Sequence, residues 1–350
     1  MSVAVRAELA ALPPYVIPRQ PPGAVLLNSN ESPAAPPDPV VAAVTRAAAT
    51  LHRYPDWTSG ELVGRLSRGL DVDPARVAVG CGSVSLCQQL LQVVCGPGAE
   101  VVHPWRSFEA YPVMARIVGA VPVAVPLDGG QRHDLPAMLR AITPATRAVF
   151  VCNPNNPTGT TVTRAALREF LAEVPGDVLV VLDEAYREFV TDPDVPDGLD
   201  LAATRDNVAV LRTFSKAYRL AGVRIGYCVA APEVAAAVRA VGVPFAVSRL
   251  AEAAALAALD VEDELRRRCR ATVGERDRVA AALLRRGHSP VPSQANFLWL
   301  PLGARAVAFG EHCAARNVLL RVFPGDGARV TIGAPAENDA FLRATEGFAP

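Results

Sequence analysis

The sequence predicts an α/β protein: a large domain on a mostly parallel sheet flanked by helices, and a smaller α+β domain beside it. Three observations lead there. From residue 77 short apolar runs alternate with loops and helical segments. Those runs are near-continuously apolar, as in strands buried on both faces of a parallel sheet. Near residue 245 the rhythm gives way to two long helices and then shorter strands.

Taken in order, residues 1–45 are rich in proline (Pro13-Pro14, Pro21-Pro22, Pro36-Pro37) and read as an extended arm joined to the small domain. The arm carries a polar cluster, Asn28-Ser29-Asn30-Glu31, after Leu26-Leu27. Residues 46–244 form the predicted large domain. Helices are expected over 39–51 and 59–70, then a strand at 77–79 running into Gly80-Cys81-Gly82-Ser83 and a helix through Leu86, Leu90 and Val94. Further strands are expected at 100–103, 121–125, 148–152, 178–182, 208–211 and 225–230. Residues 245–350 form the small domain, with helices at 249–259, 263–286 and 306–316 and strands at 296–300, 319–322 and 329–332.

Length and composition narrow the function. At 350 residues, with 51% hydrophobic and 20% charged residues, the chain has material for more than one ordinary core. Zero net charge argues against nucleic acid or an anionic membrane as a partner. The arginines from Arg266 to Arg276, interleaved with Glu262, Glu264 and Glu275, read as a solvated helix face. Seven cysteines without a C-x-x-C pair read as reduced thiols in a cytoplasmic protein, with neither a disulfide framework nor a metal site. No apolar run reaches the roughly 18 residues of a membrane span.

Of the 35 Lys and Arg residues, only Lys216 is a lysine. Arginine carries charge anywhere but keeps its proton in proteins. A lysine can become a neutral amine and condense with an aldehyde. A chain that uses arginine everywhere else and retains one lysine, after an apolar strand, points to carbonyl chemistry.

Other polar residues collect at the C-terminal ends of predicted strands, the edge where open α/β sheets bind ligands. An aldehyde cofactor with a phosphate and a ring nitrogen would use them well. Asp183 can pair with a protonated ring nitrogen; at ~4 Å and an effective dielectric of ~20 that is ~4 kcal/mol, about 3 pK units. Asn156 and Tyr186 can bond a ring oxygen. Gly82-Ser83 opening a helix, with Ser215 and Arg224, offers donors for a phosphate. Phe108 can stack on the ring. Singly, each has a plain alternative. Asp183 serves equally as a helix cap, Gly-x-Gly-Ser occurs at many strand–helix turns, Phe108 suits a core, and Asn153-Pro154-Asn155-Asn156-Pro157-Thr158-Gly159 is a turn by composition. Their order around a single lysine is the informative feature.

That order includes Tyr54 in His-Arg-Tyr-Pro, the 153–159 turn, Asp183-Glu184-Ala185-Tyr186, Ser215-Lys216 and Ala221-Gly222-Val223-Arg224. It resembles the fold type I pyridoxal-phosphate aminotransferases, in the histidinol-phosphate branch of class II. The stretch Trp105-Arg106-Ser107-Phe108-Glu109-Ala110-Tyr111-Pro112 is similar to the actinobacterial aromatic (phenylalanine) aminotransferases.

The resemblance implies pyridoxal 5′-phosphate as cofactor, with Lys216 joined to its aldehyde and shuttling protons. Asp183 would pair with the ring nitrogen and Asn156 and Tyr186 would bond the ring oxygen. Gly82, Ser83, Val84, Ser215 and Arg224 would line the phosphate site, helped by Tyr54 from the partner of a homodimer with shared sites, while Phe108 would stack on the ring. Arg329 would bind the substrate α-carboxylate, Arg321 a second anionic group such as that of 2-oxoglutarate, and Tyr15 would close over the substrate beside Asn156. Histidinol-phosphate enzymes usually carry Asp or Asn then Glu after the phosphate-loop serine. Val84 and Ser85 stand there instead, which favours Phe, Tyr or Trp with 2-oxoglutarate over histidinol phosphate. The histidine-biosynthetic reaction is the nearest rival, followed by a decarboxylase or lyase on the same fold. A non-catalytic scaffold and a dinucleotide-binding dehydrogenase fit poorly, the latter because no G-x-G-x-x-G follows the first strand.

Overall fold

The computed structural model describes residues 3, 7–10, 12 and 21–349. Among these, strands β1 (Val25–Leu27), β2 (Val77–Gly80), β3 (Glu100–Trp105), β4 (Val121–Pro126), β5 (Thr146–Cys152) and β6 (Leu179–Asp183) precede the lysine. Strand β7 (Val208–Thr213) leads into it, and β8 (Gly226–Val229), β9 (Phe297–Leu300), β10 (Val318–Phe323) and β11 (Gly327–Thr331) follow.

Seven strands form one sheet in the order β2-β8-β7-β6-β5-β3-β4. Successive residues of a strand point to opposite faces. In β5, Phe150 and Cys152 therefore pack under the helices Ser83–Val94 and Ala110–Ile117, with Leu86, Leu90 and Tyr111. Val149 and Val151 pack on the other face, with Leu167 and Phe170 of the helix Arg164–Glu173. Covering both faces explains the continuous apolar runs. Strand β4 departs from that expectation. It lies at the sheet edge, carries Pro122 and Pro126, and leaves Val121 49% exposed, since proline cannot donate to a further strand.

The sheet is parallel from β4 through β7, but β8 runs antiparallel to both neighbours. A parallel return needs a crossover, usually a helix. Here residues 214–225 form the lysine loop instead, and the chain turns straight back. Register then sets the site: Cys152 pairs with Asp183, and Asp183 with Leu211, so three loops leave the sheet at one level.

The second sheet has the order β1-β10-β11-β9, with the arm's β1 parallel to β10. It packs against the helices Ala306–Ala314, Pro335–Ala344 and Glu262–Arg285 through Phe309, Phe341, Val279 and Leu283. Helix ends differ from expectation by a few residues. The helix foreseen to reach residue 51 stops at Ala48, where the Thr50 hydroxyl bonds back to the Ala47 carbonyl at 2.8 Å.

The solvated-face reading of the Arg266–Arg276 run is corrected at one end. Arg266 does pair with Glu262 on the surface at 2.7 Å, but Arg276 is buried and donates to the Ala295 carbonyl at 3.2 Å. That carbonyl lies in the chain just before β9, so the guanidinium ties the long helix to the second sheet.

Gly226 opens β8 where the lysine loop returns. A Cβ there would lie 2.7 Å from the Ser83 amide nitrogen and 2.9 Å from the Arg212 carbonyl, both backbone atoms. Gly226→Ala is expected to destabilise the protein by about 1–3 kcal/mol, as overpacking does. Gly222→Ala, with nothing within 4 Å, should be near neutral. Equal melting temperatures for the two variants would contradict this packing.

Candidate active site

The Lys216 side chain is half-buried between the two sheets, and its Nζ donates to the Ser29 carbonyl at 3.0 Å. Burial, and then the charge of Arg329, pull its ammonium down to about 8; Glu31 opposes the shift and Arg224 adds to it. The amine is thus half neutral near pH 8, where an ordinary lysine is almost wholly charged.

Beside it lies a cradle for an anion. Gly82, at φ 81°, caps the twelve-residue helix Ser83–Val94. The Arg224 guanidinium lies over it, so close that a Cβ on Gly82 would meet Nη2 at 2.6 Å. Free amides at a helix N-terminus and a guanidinium together favour a phosphate or carboxylate. Ser215 follows β7, with its backbone amide bonded to the Thr213 hydroxyl at 3.1 Å and its Oγ within 2.9 Å of it. Val84, next on the helix, is 37% exposed.

Asp183 ends β6 and is buried. Its Oδ2 accepts the Tyr111 hydroxyl at 2.7 Å and its Oδ1 the Ala185 amide at 3.2 Å. Burial pushes its carboxyl upward against both bonds. Two neutral donors leave a buried carboxylate short of positive charge, and a cationic ring N–H would supply it. Tyr111 is itself clamped, stacked on Phe150 at 4.2 Å and meeting Phe108 edge-on at 5.4 Å.

The Tyr186 hydroxyl accepts from Asn30 Nδ2 at 2.9 Å, and burial pushes its phenol upward, so it keeps a proton to donate. Asn156 Oδ1 accepts from Arg329 Nη1, which leaves the amide NH2 as a donor. Arg329 Nη2 reaches the Asn28 carbonyl at 2.7 Å, and Arg321, directly opposite it across β10 and β11, pairs with Glu109 at 2.7 Å. Among the described residues no group of three His, Cys, Asp or Glu is placed to hold a metal.

Contacts thus link Lys216, Asn156, Tyr186 and Arg329 through the arm, Asp183 and Phe108 through Tyr111, and Gly82 with Arg224. Tyr54 stands apart. It is 77% exposed, its ring lies 4.7 Å from Phe245, and none of its contacts reaches these residues. Tyr15 lies outside the described residues. The roles of Asn28, Ser29, Asn30 and Tyr111 were not foreseen. The polar cluster after β1 was a visible signal for the first three, but nothing local pairs Tyr111 with a carboxylate 72 positions away.

A family model described as "Aminotransferase class I and II" matches residues 22–344. The chain is 52% identical over 347 residues to an aromatic amino acid aminotransferase of Nocardia farcinica, covering 98% of this chain and 97% of that protein. It is 52% identical over 349 residues to one of Streptomyces coelicolor, with the same coverage of 98% and 97%. A crystal structure of histidinol-phosphate aminotransferase from Sinorhizobium meliloti, in complex with pyridoxal 5′-phosphate, superposes with TM-score 0.88 at 29% identity, covering 98% of this chain and 97% of that one.

Because Lys216 is the sole lysine, an amine reagent followed by peptide mass spectrometry reads it alone, apart from the α-amino group. Its labelling rate in the cofactor-free protein should rise with pH to a midpoint near 8 and then level off, where an ordinary lysine would climb toward 10.5. Arg329→Gln should move the midpoint upward. A wild-type midpoint near that of a free lysine would refute the shift.

Proposed function

The chain belongs to the class I and II aminotransferases, and we propose that it exchanges the amino group between an aromatic L-amino acid (Phe, Tyr or Trp) and 2-oxoglutarate, with pyridoxal 5′-phosphate as cofactor. The observation that carries the cofactor is the under-charged carboxylate of Asp183 near a lone, easily deprotonated lysine and an anion cradle. The substrate class is supported by relatives named aromatic amino acid aminotransferase at 52% identity, against 29% for the histidinol-phosphate enzyme. The apolar, half-open Val84 beside the cradle fits the same choice.

The chemistry that bound pyridoxal phosphate supplies is an aldehyde carbon to take up the amino group and a ring that draws electrons from the substrate Cα. Everything else falls to the chain. Gly82, the Ser83 amide, Ser215 and Arg224 hold the phosphate, Asp183 keeps the ring nitrogen protonated, and Tyr111 fixes the carboxylate's direction. Asn156 and Tyr186 donate to the ring oxygen, and Phe108 covers a ring face. Arg329 forks onto the α-carboxylate, which orients Cα toward Lys216. The Lys216 amine, half neutral near pH 8 in the cofactor-free chain, would serve as the base that takes the proton from Cα and as the acid that returns it on the far side of the exchange.

We assign the two sheets to two domains, 46–244 and 245–350, with 1–45 an arm that contributes β1 to the smaller. The exposed Leu51, Tyr54 and Trp57 lie on one short stretch and the exposed Val243 and Phe245 on another, joined by the Tyr54–Phe245 ring contact at 4.7 Å, and such a surface fits a second copy of the chain. In that homodimer the partner subunit's Tyr54 would complete the phosphate site. Seven free cysteines, five of them buried, suit a reducing cytoplasm, and no helix among the described residues is long and apolar enough to cross a membrane.

Reconstitution with pyridoxal phosphate should give a visible absorption band that Lys216→Ala lacks. Phenylalanine added alone should convert the cofactor to its amine form, which a decarboxylase would not do. A kcat/KM for histidinol phosphate far above that for phenylalanine would overturn the substrate assignment. Trp57→Arg should shift the sedimenting species from dimer toward monomer; an unchanged mass would discount the patch as the interface.

A further inference from the structure

The site just described has one requirement the residues so far do not meet. If the proposed reaction is right, one pocket receives a phenyl ring in one half-reaction and the distal carboxylate of a dicarboxylic acid in the other. A bare guanidinium beside a ring is an unpaired charge. A guanidinium locked to a buried partner has no capacity for a second carboxylate.

Two ion pairs join the loop after β3 to the β10–β11 hairpin, and they differ in kind. Arg106 sends both Nε, at 2.8 Å, and Nη2 to Asp326 Oδ2, and its guanidinium lies 4.2 Å from the Trp105 ring and 5.3 Å from the Phe323 ring. Multiple bonds and two aromatic faces make this a fixed anchor. Arg321 sends a single bond of 2.7 Å from Nη2 to Glu109 Oε2, has one aromatic face, Phe323 at 5.6 Å, and the two side chains are 27% and 44% exposed. Exposure is similar in the Arg106–Asp326 pair, at 19% and 41%, so the single bond and the lack of a tryptophan face are what leave the Arg321 pair the weaker and more readily exchanged.

Position makes the exchange meaningful. Arg321 and Arg329 are register partners, so their side chains share one face of the hairpin. Arg329 reaches Asn156 on that face. Glu109 directly follows Phe108, and so sits at the margin of the ring site.

We propose that Glu109 is a resident counter-anion for Arg321, and thereby a specificity-determining residue. It stays paired while an aromatic side chain occupies the pocket. It swings to solvent when the distal carboxylate of a dicarboxylic substrate takes its place on the guanidinium. The loop itself does not move, because Arg106 and Asp326 hold it. This inference rests on the aromatic-to-2-oxoglutarate reading.

The test uses the holoenzyme and two non-reacting ligands, maleate for the dicarboxylate and 3-phenylpropanoate for the aromatic acid, with dissociation constants read from the cofactor spectrum. Glu109→Gln should bind maleate about fivefold more tightly, with the gain shrinking as salt rises. It should bind 3-phenylpropanoate no better than wild type. Glu109→Asp should restore the wild-type ratio, and in an Arg321→Gln background Glu109→Gln should give no gain for maleate. A ratio of the two constants that Glu109→Gln leaves unchanged, including an equal change in both as a mere structural strut would give, overturns the proposal alone. A wild-type enzyme that does not convert phenylalanine overturns the substrate reading and this inference together.

Discussion

Lys216 and Arg329 bring two basic side chains into one cleft, and their desolvation, with repulsion between them second, is the constraint around which the site is arranged. Desolvation, and then repulsion from a guanidinium that does not give up its proton, both favour a neutral amine on the lysine. The arm answers both cations with consecutive carbonyls: Ser29 accepts from Lys216 and Asn28 from Arg329. Asn30, the next residue, is pinned from three sides. Its side chain reaches Tyr186, its amide the Thr331 hydroxyl, and its carbonyl the Asn296 amide. Three residues following a short strand therefore stitch the second sheet to the lysine edge of the first.

That edge is stiffened by buried charge of another sort. Arg212, one residue before the end of β7, donates to Glu184 through Nε at 3.0 Å and Nη2 at 2.8 Å, and to Asp197 at 2.6 Å. Glu184 follows Asp183 in sequence and its other oxygen takes the Gly198 amide at 2.7 Å. Such a triad gives little net stability over an apolar replacement, but removal of Arg212 strands the buried Glu184 carboxylate. Its place explains it better than its energy does. It cross-links the strand that ends in Asp183 to the strand that leads to Lys216, and so fixes the spacing between the carboxylate and the amine.

Much of this was legible in the sequence, and the remainder was not for identifiable reasons. The strands of the large sheet were readable because burial on both faces leaves unbroken apolar runs, and the lysine because no other competes with it. The direction of β8 was hidden, since an apolar run looks alike in either sense; only the absence of a crossover helix in 214–225 pointed to it. Arg276 reads like its neighbours Arg266 and Arg270, yet its carbonyl acceptors come from residues 189 and 295. Tyr111 and Asn30 find their partners 72 and 156 positions away, a separation that no local pattern encodes. Composition and periodicity report which face is buried; they do not report which polar group meets which across a fold.

A chain of zero net charge can still hold a strongly polarised cleft. Arg224 over Gly82, Arg329 and Arg321 on one face of the hairpin, and Lys216 between them all draw anions. A substrate α-carboxylate, a distal carboxylate and a phosphate carry matching charge. Asp183 opposes the trend differently from Glu31 and Glu109: it is buried with two neutral donors, where small anions gain nothing and a cationic ring nitrogen would gain most. Cations at the cleft's ends and a carboxylate between them would orient a ligand that is anionic at its ends and cationic in its ring before any shape is read. The arm sets the pocket's rim mainly with neutral groups, the Asn28, Ser29 and Asn30 carbonyls and the Asn30 amide and side chain, which fix distance, while Glu31 adds a charge of the arm's own near Lys216.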